Sequence, residues 1–124
     1  MAKVTGIGGI FYKVEDTERT KAWYQETLGV GGEWGAMFAY KADTPDAYSI
    51  FSPFKASTDY FDPSEARFMV NLRVDDLDAM IAELKAKGIA ILGTQNEDYG
   101  KFAWILDCDG IKIELWEQVG PAPA

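Results

Sequence analysis

The chain has 124 residues, a length that fits one domain. Apolar residues make up 48% of it and charged residues 26%, and 20 acidic against 12 basic residues leave a formal charge of −8, a balance that argues against nucleic acid or an anionic membrane as partner. There is no histidine and one cysteine, Cys108, which excludes His-based triads, His general bases, His metal ligands, an internal disulfide and a Cys-rich zinc site.

The first element is a strand over Ile10–Val14, with Ile10, Tyr12 and Val14 on one face. Gly6-Ile-Gly8-Gly9 precedes it, but Phe11 stands where G-x-G-x-x-G needs its last glycine, and the run comes before a strand instead of after one. A helix is expected from about Thr17 to Leu28, with Trp23 and Leu28 inward and Gly29 at its end. Strands are expected at Met37–Tyr40 and Tyr48–Phe51, and one near Val30–Trp34. Ser52 to Arg67 carries Phe54, Tyr60 and Phe61, too many large aromatics for a disordered linker, and is expected to pack, with a partner subunit as the candidate surface.

The second half repeats the first. Phe68–Val74 is a strand with Phe68, Val70, Leu72 and Val74 on one face. Asp76 is a natural N-cap, Leu77, Met80, Ile81 and Leu84 form one helical stripe, and Gly88 stands where a C-terminal cap belongs. A short strand, Ile89–Leu92, follows. Phe102–Leu106 and Ile111–Trp116 then flank Asp107-Cys108-Asp109-Gly110, which suits a three-residue hairpin loop ending in a left-handed glycine. Each half therefore reads β-α-β-β-β, at an offset of about 60 residues. The chain divides into module one (about 5–54), a linker (about 55–67) and module two (about 68–118).

Two such modules in one chain resemble the vicinal oxygen chelate superfamily of glyoxalase I, bleomycin-resistance proteins and extradiol dioxygenases. Four strings carry the resemblance in order: Ile7 to Asp16, Ala22 to Gly29, Asn71 to Asp78, and Phe102 to Glu117 with Cys108 where proline is usual. The resemblance implies an α+β fold: a curved, mostly antiparallel eight-stranded sheet with helices on its outer face and the site on its concave face. It also implies a place for metal ligands on the first and last strand of each module. Those places fall on Gly9, Ser49, Met69 and Glu114. Only Glu114 is a suitable donor, because glycine has no side chain, a thioether is soft and a serine hydroxyl is a poor ligand.

With a period of two, the face that holds these positions carries Phe11, Ser49, Phe51, Met69, Asn71, Phe102, Trp104, Glu114 and Trp116. A three-residue loop sets Trp104 opposite Glu114, and Phe102 opposite Trp116. Lys13 and Arg73 read as rim charges, and Cys108 as non-catalytic. The opposite face, with Ile10, Val14, Val70, Leu72, Ile113 and Leu115, is apolar, as a helix-covered face should be. An aromatic wall with sparse polar groups is the make-up of a small-molecule pocket, and tryptophan with a carboxylate also suits a cation.

The expected function is metal-independent binding of an aromatic or cationic small molecule, similar to the bleomycin-resistance branch. The alternative is a glyoxalase-like lyase, isomerase or dioxygenase with an atypical metal site or with Glu114 as acid or base. A filled cavity on a mere interaction module is the third reading. Glu114 has a structural alternative of its own, a vestigial ligand position salt-bridged to Lys112, Lys13 or Arg73. No cofactor is expected, with a divalent metal left open. The partners expected are a small-molecule ligand and a second copy in a homodimer. With no run of 18 apolar residues and no signal-peptide core, the expected setting is the cytoplasm.

Overall fold

The computed structural model describes residues 10–33, 35–40 and 46–122. Asp16 and Asp76 each start a helix by accepting a hydrogen bond from the backbone N–H three residues on, Arg19 N at 3.1 Å and Ala79 N at 3.0 Å. Helix α1 runs Thr17–Leu28 and closes at Gly29. Strand β1 (Val70–Arg73) precedes helix α2 (Leu77–Ala86), and β2 (Gly93–Glu97), β3 (Gly100–Leu106) and β4 (Lys112–Gln118) complete the order. The two helices begin about 60 residues apart.

The four strands form one mixed sheet in the order β1-β4-β3-β2. β1 lies parallel to β4, and β2–β3–β4 is an antiparallel meander. Asp107 N bonds to Ile111 O and Gly110 adopts φ 79°, so the β3–β4 loop has three residues and ends in a left-handed glycine. The resulting register sets Trp104 opposite Glu114 and Phe102 opposite Trp116, as the pattern requires.

One face of the sheet is the core. Ala103, Ile105, Ile113 and Leu115 are 0% exposed and pack with Leu77 and Leu84 of α2, while Trp23, Tyr24 and Leu28 of α1 pack against this cluster from its edge. The ends of α2 are held by polar contacts: Leu77 N donates to Glu117 Oε1 at 2.8 Å, and Lys87 Nζ donates to Thr27 O of α1 at 3.1 Å. Both helices lie on the same side of the sheet. Among the described residues no helix is long and apolar enough to cross a membrane.

Two expectations are corrected here. Ile10–Val14, Met37–Tyr40 and Tyr48–Phe51 form no strands, so the described residues hold four strands and not eight. The side chains that would anchor these strands are not buried: Phe11, Met37 and Phe51 are 96%, 90% and 93% exposed, so little apolar burial fixes an extended pairing there. Ile89–Leu92 is not a strand either: Ile89 and Ile91 pack against the core, and pairing with β3 begins at Leu92 N to Trp104 O and continues through Gly93–Glu97.

Helix α1 is fastened to the β3–β4 hairpin. Tyr24 donates its hydroxyl to Asp107 Oδ2 at 2.6 Å, Thr20 donates to Asp109 Oδ2 at 2.6 Å, and Arg19 lies 3.8 Å from Asp109. Burial pushes the Tyr24 phenol far above its ordinary value, and the Asp107 carboxylate pushes it further. The neutral phenol is thus favoured in the folded state. That stabilisation is complete below pH about 10, where tyrosine ionises in the unfolded chain, and is lost as pH rises further, by up to about 1.4 kcal/mol per pH unit. Urea midpoints of the wild type are expected to fall between pH 9 and pH 11, and those of Tyr24→Phe to fall less. Equal slopes for the two proteins would contradict this.

Candidate functional site

On the face away from the helices, β3 presents Phe102 and Trp104, β4 presents Glu114 and Trp116, and β1 presents Asn71 beside Glu114. Alternation along each strand makes this inevitable once Ile105, Ile113 and Leu115 are committed to the core. The rings of Phe102 and Trp104 are nearly parallel, at 11° and 6.4 Å, and those of Phe102 and Trp116 at 2° and 6.3 Å. Three aligned rings therefore run across two strands.

At the end of this array sits Glu114, 9% exposed. Its Oε1 accepts from the Tyr60 hydroxyl at 2.6 Å and from Trp104 Nε1 at 3.1 Å, and its Oε2 accepts from Asn71 Nδ2 at 2.7 Å. All three donors are neutral. The structural alternative for Glu114, an ion pair with Lys112, Lys13 or Arg73, is not formed. Lys112 Nζ instead donates to Tyr60 O, and lies 5.3 Å from the centre of the Tyr60 ring and 5.6 Å from that of Trp104. Arg73 donates to Tyr48 O at 2.8 Å. Burial raises the Tyr60 phenol, and the Glu114 carboxylate raises it further, so the proton stays on Tyr60.

Tyr60 is the residue that sequence reasoning missed. It comes from the 52–67 segment, which was expected to pack on the strength of its aromatics, and the structure shows that it packs on the chain's own sheet. Tyr60 meets Trp104 edge to face at 6.0 Å, and Phe54 and Phe61 stand 5.4 and 6.4 Å from it. Nothing in local spacing links Tyr60 to Glu114, and the aromatic content of the linker was the only signal.

Of the nine residues read as lining the site, the structure brings Asn71, Phe102, Trp104, Glu114 and Trp116 together on one face. Trp116 is 3% exposed, so it backs the array and does not open to it. Tyr48, and not Ser49 or Phe51, makes the contact to Trp116, at 5.1 Å and 73°. Ser49 is exposed, and Phe11 and Phe51 are 96% and 93% exposed. Met69 is half-buried one residue before β1. Gly9 lies outside the described residues.

The donor set bears on the metal implied by the resemblance. A phenol O–H, an indole N–H and an amide N–H2 present hydrogens to Glu114, and the indole and amide nitrogens have no lone pair to offer a cation. Among the described residues no three His, Cys, Asp or Glu side chains gather as a metal group. These residues do not fit a divalent ion at Glu114. A shallow hollow of about 520 Å³ lies elsewhere, beside α1, lined by Glu18, Lys21, Gln25 and Glu33. There Lys21 is already engaged by Glu18 at 2.9 Å and by Glu33 O at 3.1 Å.

A sequence model of the Glyoxalase/Bleomycin resistance protein/Dioxygenase superfamily matches residues 6–115. No curated protein matches the chain. Among solved structures, TnmS3, an antibiotic binding protein from Streptomyces sp. CB03234, is 26% identical over 96% of this chain and 100% of its own, with a TM-score of 0.61. A protein from the mobile metagenome of V. Pseudocholerae has the same TM-score at 17% identity, over 97% of this chain and 99% of its own. A glyoxalase/bleomycin resistance protein from Streptomyces sp. CB03234 is 41% identical, but over only 37% of this chain and 40% of that one, with a TM-score of 0.35.

Proposed function

The chain belongs to the Glyoxalase/Bleomycin resistance protein/Dioxygenase superfamily, and we propose that within it this protein is a binding protein, one that holds an aromatic small molecule, neutral or cationic, against the ring array and works without a metal. The observation that carries this reading is the satisfied Glu114 carboxylate, whose neighbours are all hydrogen-bond donors. Such a carboxylate can direct a ligand's polar group, while the Phe102 and Trp104 rings, backed by the buried Trp116, supply apolar area. The likeness to a protein described as antibiotic binding supports the same reading.

The test is a titration of the protein with planar aromatic compounds, followed by tryptophan fluorescence and repeated in the presence of a chelator. Saturable quenching of the same strength with and without chelator is expected. Binding that vanishes with chelator, or no quenching by any such compound, would overturn the reading.

The same proposal takes the chain as one domain of two modules and as a homodimer in the cytoplasm. The exposure of Phe11, Met37 and Phe51, at 96%, 90% and 93%, supports a partner surface over module one. Sedimentation at high concentration is expected to give a dimer, and a monomer alone would contradict it.

A further inference from the structure

We infer that the group this site selects is a neutral hydroxyl on an aromatic ring, and that Tyr60 is the built-in occupant such a ligand displaces. The inference rests on the binding reading above and narrows its ligand. A phenol already lies on Glu114, donated by the chain itself. It reaches a carboxylate that is 9% exposed, stands edge-on to Trp104, and donates its hydrogen bond to an oxygen that also accepts from the Trp104 indole. A bond from a neutral O–H to a buried carboxylate is charge-assisted and short, so the niche rewards a hydroxyl strongly.

Lys112 decides against a cation. Its ammonium lies over both the Tyr60 and the Trp104 rings, in the position a ligand cation would take. A second positive charge there would meet Lys112 as well as Glu114, and the repulsion removes most of what the carboxylate offers. A neutral donor suffers no such penalty.

Tyr60 is also placed to leave. It is 36% exposed and belongs to a stretch with no helix or strand of its own. Its backbone is fastened by Lys112 at the carbonyl and by Thr58 Oγ1 at the amide, both exposed bonds. Its ring neighbours Phe54 and Phe61 come from the same segment, so the three can move as a unit without opening the core.

The test uses three probes of one shape: 2-naphthol, its methyl ether and 2-naphthylmethylammonium, titrated by calorimetry at pH 7 into wild type, Tyr60→Ala and Tyr60→Phe. The wild type is expected to bind naphthol about tenfold more tightly than the ether and the ammonium probe. Tyr60→Ala, which empties the niche, is expected to tighten naphthol at least tenfold and the ether by less. Tyr60→Phe, which keeps the ring and removes the competing hydroxyl, is expected to tighten naphthol by a smaller factor and covers the case in which the alanine variant does not fold. Equal affinity for naphthol and ether, weaker naphthol binding in both variants, or tightest binding of the ammonium probe would each overturn the inference while leaving aromatic binding standing. Failure of all three probes to bind any of the proteins would overturn the binding reading itself, and this inference with it.

Discussion

Gly100→Ala is expected to lower the unfolding free energy by about 2–3 kcal/mol, whereas Gly93→Ala, in the neighbouring strand of the same sheet, changes it by less than about 1 kcal/mol. The two glycines differ in what a methyl group would meet. At Gly100 it would overlap Trp116 Nε1, with Trp116 Cδ1 at 2.7 Å and Glu117 O at 3.0 Å. At Gly93 it would touch Trp104 Cε3 at 3.6 Å, an ordinary contact. Trp116 cannot easily give way. It is 3% exposed, its Nε1 has no hydrogen-bond partner among the described residues, and its ring is held edge-on by Tyr48. Because Trp116 parallels Phe102, and Phe102 parallels Trp104, displacement of one indole disturbs the whole array. Gly100→Ala should therefore also alter the near-ultraviolet circular dichroism and weaken aromatic binding. Urea denaturation of the two variants side by side decides the matter: equal midpoints would show that the close approach at Gly100 is not a constraint.

What was legible beforehand was local. Helix α1 runs Thr17–Leu28 as read, because a cap and a closing glycine bracket it. The β3–β4 register followed from a three-residue loop with one glycine. β2 is hard to read because, apart from Thr94, its sequence GTQNE has little strand propensity: an edge strand with exposed side chains is held by backbone pairing to β3, and the apolar Ile89 and Ile91 that suggest a strand serve the core instead. Glu114 was legible as the surviving carboxylate, and Trp104 as its neighbour, since both follow from alternation and register. Its partner Tyr60 was not, because a contact across 54 residues of sequence, from a segment without periodicity, leaves no local trace. The first-half strands were over-read for a related reason: alternation at Ile10, Tyr12 and Val14 describes what a strand could bury, and Phe11 and Phe51, at 96% and 93% exposed, show that a pattern without a packed partner does not make a sheet.

The largest expected loss comes from Asp107→Ala, about 3–5 kcal/mol out of a total that for domains of this size is typically about 5–15 kcal/mol. Asp107 is 6% exposed, and both of its oxygens are committed. Oδ1 accepts from Asp109 N at 2.8 Å and Ile111 N at 2.9 Å, which shapes the loop, and Oδ2 accepts from Tyr24 at 2.6 Å, which holds α1. Removing the carboxylate strands two backbone donors and a phenol at once. Tyr24→Phe leaves Asp107 its two backbone partners and is expected to cost only about 1–2 kcal/mol. A double-mutant cycle between the two should give a coupling of about 1 kcal/mol or more, since the residues are in direct contact. Zero coupling would mean that the Tyr24–Asp107 bond does not help to hold α1. The consequence reaches the site, because the loop sets the register of β4. A slip of one residue there would turn Glu114 into the core and Ile113 or Leu115 onto the ring array. Aromatic binding by Asp107→Ala, measured at low temperature where the variant remains folded, is therefore expected to fall more than tenfold, although Asp107 lies at the hairpin end and touches none of the array; wild-type affinity in that variant would show that pairing along β3 and β4 holds the register without the loop.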